Sequence, residues 1–219
     1  MSSSVTDLPV AESRAAAPRA GRRAPAALLT VGALLAGAAL VLIPPDRILG
    51  ASIRAVFFHG AVTWTGIILA GVGGVAGTVV LARGAASPAG LAGRLWRIQS
   101  LAASFWTLSL MLSFPVMRMT WGGVLWSEPR LLMSAEVVAT FLILWTVGLL
   151  AGDPRWTAAA MLLAVAVMGV LLAATPGSFH PDNPVLKSGS VRYIGTFLAI
   201  VTGLLLVSAG TVLAGRRRP

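Results

Sequence analysis

Apolar residues run in six long stretches, at roughly 25–43, 55–82, 96–116, 131–151, 157–174 and 193–215, and the basic and turn-forming residues collect in the gaps between them. A helix needs about 20 predominantly apolar residues to cross a bilayer, and each stretch is close to that length or longer. The pattern therefore predicts an all-α, polytopic membrane protein with six transmembrane helices. Composition agrees: at 57 % hydrophobic and 11 % charged residues, the chain lies outside the range of water-soluble domains.

Charge adds an orientation. A net charge of +10 would point to nucleic acid in a soluble protein, but these basic residues border hydrophobic spans and form no groove-reading array, so membrane lipid is the expected surrounding and nucleic acid is not a partner. They read as topology signals. With the N-terminus inside, 11 of the 17 basic residues fall on the inner side: Arg14, Arg19, Arg22, Arg23, Arg83, Arg94, Arg97, Arg155, Arg216, Arg217 and Arg218. The other 6, Arg47, Arg54, Arg118, Arg130, Lys187 and Arg192, fall outside. Both termini are thus expected in the cytoplasm.

Residues 1–25, rich in Ala, Ser, Pro and Arg, read as a disordered basic cytoplasmic tail, and 216–219 as a second, short basic tail. Between them lies one membrane domain, 26–215, with outer loops at 44–54, 117–130 and 175–192. A signal-peptide reading of the tail plus 28–43 competes, although that apolar run is at the long end for such a segment. Cysteine is absent, which excludes disulfides, thiolate-bound metal and a redox dithiol in this chain. No phosphate-binding glycine loop, Ser/His/Asp order or zinc-ligand spacing occurs. Gly73 and Gly77, four apart in the second span, are explained by close helix packing.

The rarer side chains then fall on one side of the membrane. His59 lies one turn inside the outer end of the second span, and His180, the only other histidine, lies in the outer loop before the sixth. The stretch TWGGVLWSEPRLL, residues 120–132, joins spans three and four on that same side. Taken singly, each has a simpler reading. His59 could be an interfacial hydrogen-bonding residue, His180 a surface-loop residue in SFHPDNP, Trp121 and Trp126 an aromatic belt, and Arg54 and Arg130 span terminators. Together, an imidazole pair, an aromatic platform and basic residues match what a flat, apolar, anionic macrocycle requires, and haem is such a group.

Glu136 stands apart, two turns into the fourth span, where an ionisable group is costly. A proton relay, an interhelical hydrogen-bonded anchor and a counter-charge to an outer arginine are all open for it. Asp46 and Asp182 read as solvated turn acids, and Met111, Met117, Met119 and Met133 as gap-fillers at helix ends.

These residues resemble the cytochrome c assembly family of haem-handling membrane proteins, most closely its six-span cytochrome c maturation protein C branch. In RAVFFHGAVTW, Arg54 precedes His59 by five positions and Trp64 follows by five, as in that family. WGGVLWSEPRL aligns without a gap to the family's tryptophan-rich signature, WGxxWxWDxRL, matching at Trp121, Gly122, Arg130 and Leu131, with Glu128 at the family aspartate. His180 matches a second histidine before the last span. The resemblance covers roughly residues 50–200. Departures are Leu125 and Ser127 where the family has tryptophan, Trp126 displaced by one, Pro181 after the histidine, and a glutamate that falls late, at Glu136.

The resemblance implies noncovalent haem b at the outer face, with His59 and His180 as axial iron ligands. Trp121 and Trp126 would form a stacking shelf, Gly122 and Gly123 would allow close backbone approach, Arg54 and Arg130 would pair with the propionates, and Trp64 and Glu128, at their family positions, would belong to the same site. It further implies a haem-handling factor rather than an enzyme, in a bacterial inner (cytoplasmic) membrane. Such a factor passes haem to a chaperone or to apocytochrome c during cytochrome c biogenesis, in some systems beside ABC-transporter subunits. A b-type cytochrome passing electrons to quinone, and a haem-free permease subunit, are the competing expectations.

Overall fold

A computed structural model describes residues 23–88, 90–175, 185 and 188–215. Six long helices account for most of them: α1 (Arg23–Val41), α2 (Ile53–Arg83), α3 (Leu91–Trp121), α4 (Pro129–Ala151), α5 (Pro154–Ala174) and α6 (Val191–Ala214). All six are long and apolar enough to cross a membrane, and the chain is an all-α polytopic membrane protein. The ends of the bundle are called inner and outer here from the arginine bias.

Local chemistry sets the helix ends. After α1, Pro44 and Pro45 cannot continue the helix, and Pro44 drives Ile43 toward extended backbone. α3 stops where Gly122 takes φ +77°, a left-handed conformation that costs glycine nothing, and its N–H closes on the Arg118 carbonyl. α4 and α5 both open with proline in the first turn, where the missing N–H has no intrahelical use. Asp153 caps α5 by accepting from the Arg155 N–H at 2.8 Å.

Five of the six helices are longer than their apolar runs; α1 matches its run in length. Hydrogen bonding carries α3 through Arg94 and Arg97 at one end and Arg118 at the other, because a helix does not end where the hydrocarbon does. The outer loop expected at 117–130 is therefore only 122–128. Likewise α2 and α6 begin inside the segments 44–54 and 175–192. Pro115 sits within α3 without ending it.

α2 is central. Its one face packs on α3 and α5, its other on α6, and α1 packs mainly on α6. Two apolar cores result. The first joins α2, α3, α4 and α5 around Trp106, Phe141 and Met161. The second joins α1, α2 and α6, where Phe57 meets Tyr193 and Phe197 edge-on at 5.4 and 6.1 Å. Lipid offers apolar side chains as good a solvent as a neighbouring helix does, so association relies on close approach. At the α1–α6 crossing a Cβ on Gly32 would lie 2.5 Å from the Gly203 carbonyl oxygen, and one on Gly203 would lie 2.6 Å from that of Gly32. The expected packing role of Gly73 and Gly77 is also met: a Cβ would strike Met161 at the first and lie 3.1 Å from the Ala158 carbonyl oxygen at the second.

Polar links tie the spans. Thr63 and Ser109 share a hydroxyl hydrogen bond of 2.6 Å between α2 and α3, and the Trp145 indole N–H donates to Ser100 at 2.9 Å between α4 and α3. Gln99 is fully buried, and neither of its amide atoms has a hydrogen-bond partner among the described residues.

Candidate functional site

His59 sits in the second turn of α2, on the side turned to α3. Three contacts fix that face: Thr63 bonded to Ser109, Gly66 against Trp106, and Gly73 beside Ile98. The same antiparallel register carries His59, one turn outward from Thr63, to the level of Ser113. The imidazole is half-buried, and the Thr63 hydroxyl donates to the His59 carbonyl at 3.0 Å, bracing the backbone beneath it.

The tryptophan loop reaches the same level. Trp126 lies over Phe114, next in sequence to Ser113, with ring centroids 5.7 Å apart and planes at 47°. Trp126 nonetheless remains 69 % exposed and Trp121 37 %, so both indoles present apolar area at the outer surface. Gly122 is needed for the αL stop of α3, and a Cβ on it or on Gly123 would meet nothing within 4 Å. Their open surroundings leave the loop backbone approachable.

Arg130 is half-buried in the first turn of α4, and the Ser134 hydroxyl donates to its carbonyl at 2.7 Å. Before it, Glu128 is the residue whose setting the sequence did not reveal. Flanked by exposed Ser127 and half-buried Pro129, its side chain is 2 % exposed. Neither carboxylate oxygen has a hydrogen-bond partner among the described residues. Glu128 precedes α4 at the N-cap position but makes no side-chain cap. The alignment puts Glu128 at the family's acid, but only the turn geometry that tucks it inward buries the side chain. The Thr63–Ser109 pair was also missed, although hydroxyls inside two apolar spans were its available signal.

Two expected members of the set lie elsewhere. The Arg54 Nε donates to the Ile43 carbonyl at 3.3 Å, and an Arg192 terminal nitrogen donates to the Leu42 carbonyl at 3.3 Å. Arginines from the starts of α2 and α6 thus converge on carbonyls at the C-terminal end of α1, which a helix end leaves without partners. Trp64, five residues from His59, is turned by about 140° round α2 and is 41 % exposed. It does not share the face of His59. His180 and Asp182 lie outside the described residues.

Asp46 is the turn acid the sequence implied. Its carboxylate accepts from the N–H groups of Ile48 and Leu49 at 2.8 and 3.0 Å. The Leu49 and then the Ile48 bonds hold its carboxyl below the ordinary carboxylate range.

Chemically, the outer end of α2, α3 and α4 offers one imidazole, two exposed indoles, an arginine and a buried acid. Among the described residues no three metal-ligating side chains cluster. The donors described fit a planar ligand that brings its own equatorial metal ligands and needs only axial nitrogen from the protein. Compared with known proteins, the chain matches no protein-family model and no curated protein sequence.

Proposed function

We propose that this membrane protein holds haem b noncovalently at its outer face and presents it for cytochrome c biogenesis, as the resemblance to the cytochrome c assembly family implies. The observation that carries the reading is the half-buried His59 at the level where Trp126 overlies Phe114, beside a loop that keeps both indoles exposed. His59 and His180 would be the two residues that hold the haem iron. Trp121 and Trp126 stack against the macrocycle, Gly122 lets the loop backbone approach it, and Arg130 meets a propionate through its guanidinium fork. Haem, when bound, supplies an iron centre whose affinity rests on imidazole nitrogen.

Arg54 is assigned differently from the propionate role that the resemblance implies. Its contact with Ile43 makes it a clamp on the end of α1 that sets the start of α2 and so the position of His59. Trp64 belongs to the lipid-facing surface. The acceptor is a haem chaperone or apocytochrome c outside a bacterial cytoplasmic membrane, possessing the thioether chemistry that this cysteine-free chain lacks. ABC-transporter subunits are proposed as partners in that handover.

An absorbance spectrum of the purified full-length protein tests the reading. Wild type shows a bis-imidazole haem spectrum, His59→Ala loses one axial ligand and changes it, and the His59→Ala/His180→Ala double variant is haem-free. Unchanged haem content in the double variant would overturn the ligand assignment. Arg130→Ala retains the iron ligands and loses haem faster on dilution.

A further inference from the structure

Glu136 is the acid found deepest within a span among the described residues, seven positions past the start of α4 at Pro129, or about 10 Å along the axis. It is exposed, and so are Ala135 and Ala139 beside it. Its neighbours one turn back and two turns on, Leu132 and Ile143, are 53 % and 62 % exposed. An ionisable group at such depth normally faces a bundle interior or a water-filled cavity. Here it stands on the surface meant for lipid. The Thr140 hydroxyl bonds the Glu136 backbone carbonyl and leaves the carboxylate untouched.

The neighbouring helix carries the complementary charge. Arg118 is exposed, three residues before the end of α3, and its stripe toward the bilayer centre continues through exposed Pro115 and Met111. Neither side chain finds an ion pair or a hydrogen-bond partner among the described residues. Their axial positions differ by about one helical turn, a gap that an extended arginine side chain spans.

We infer that the α3–α4 face is an interface between two copies of this chain, related by a twofold axis along the membrane normal. Glu136 of each protomer pairs with the partner's Arg118, which reaches down from the outer end of α3, so one contact made twice neutralises the carboxylate inside the span. Ala135 and Ala139 let the helices approach closely where the pair forms. A single-helix partner with a basic residue would satisfy Glu136 but leave Arg118 without a counter-charge, which is why a second copy is the occupant assigned. The inference does not depend on the haem reading.

Because the chain lacks cysteine, one cysteine appended after Pro219 labels the full-length protein with donor or acceptor dye. Energy transfer is then measured in phosphatidylcholine vesicles over a range of protein densities. Wild type associates as a dimer. Glu136→Arg and Arg118→Glu, each alone, set like charges against each other and weaken association at least about tenfold. Mixed one to one, the two variants restore both ion pairs: one contact joins the two substituted positions with their charges exchanged, the other joins the native Glu136 and Arg118, and association recovers. Glu136→Gln and Arg118→Gln give smaller losses and guard against a reversal that fails to fold; thermal unfolding of each monomer is followed in parallel. A monomeric wild type, single reversals without effect, or a mixture that stays dissociated would each overturn the interface.

Discussion

At the outer end of the bundle, the corner where α1, α2 and α6 meet and the hairpin of α3 and α4 treat their charged side chains in opposite ways. In the corner, Arg54 and Arg192 are directed onto the carbonyls of Ile43 and Leu42, and aromatic edges of Phe57, Tyr193 and Phe197 fill the space below. The charges there serve the fold. In the hairpin, Glu128 is buried without a described hydrogen-bond partner, Glu136 and Arg118 face outward, and Trp126 keeps most of its surface exposed. Polar groups left unused by packing are expensive to keep in a membrane, so the hairpin is where ligand and partner are to be sought.

Substitutions put this contrast to the test. The largest effect is expected from Gly203→Val, which forces a side chain into the backbone of α1 at Gly32. It should cost about 3 kcal/mol or more, read as a fall in the thermal unfolding midpoint in detergent, while leaving the hairpin's own contacts in place. Glu128→Leu should do the reverse: removing a buried acid without described hydrogen-bond partners raises stability by about 1–3 kcal/mol. A loss of stability would make Glu128 a structural partner and erase the contrast.

Arg54→Ala should cost about 1 kcal/mol through the long hydrogen bond to Ile43, with the haem spectrum shifted only as far as His59 moves. Smallest is Asp46→Asn. The folded-state pKa of Asp46 lies below its unfolded value, so its contribution is present above the unfolded pKa and is lost as pH falls through the folded one. Protection of the Ile48 and Leu49 amides, measured relative to their intrinsic exchange rates, should therefore fall on acidification in wild type and show no such step in Asp46→Asn.

The six spans were legible because hydrophobic length is a direct consequence of bilayer thickness, and every apolar stretch corresponds to a helix. Helix ends were less so. Arg94, Arg97 and Arg118 look like borders in a hydrophobicity reading, yet the backbone hydrogen bonds of α3 run past all three. Arg97 even acquires a use there, its terminal nitrogen donating to the Val212 carbonyl at 2.7 Å near the end of α6. For the site, periodicity could have separated Trp64 from His59, since five residues do not return to the same helix face. Nothing in sequence spacing could assign Arg54 to Ile43, or bury Glu128 while leaving Glu136 exposed. Those facts depend on which helices become neighbours, and that is a long-range property.

The glycine crossing of α1 and α6 sets an order of assembly. α1 ends at Val41 and its principal neighbour begins at Val191, so at ribosomal speed the first helix waits roughly ten to thirty seconds for its mate. During that wait α2 to α5 can already form their own core. Closure is then a late, long-loop event between the two ends of the chain, and a nascent protein stalled before α6 would present a finished core with an unclaimed first helix to the quality-control machinery of the membrane.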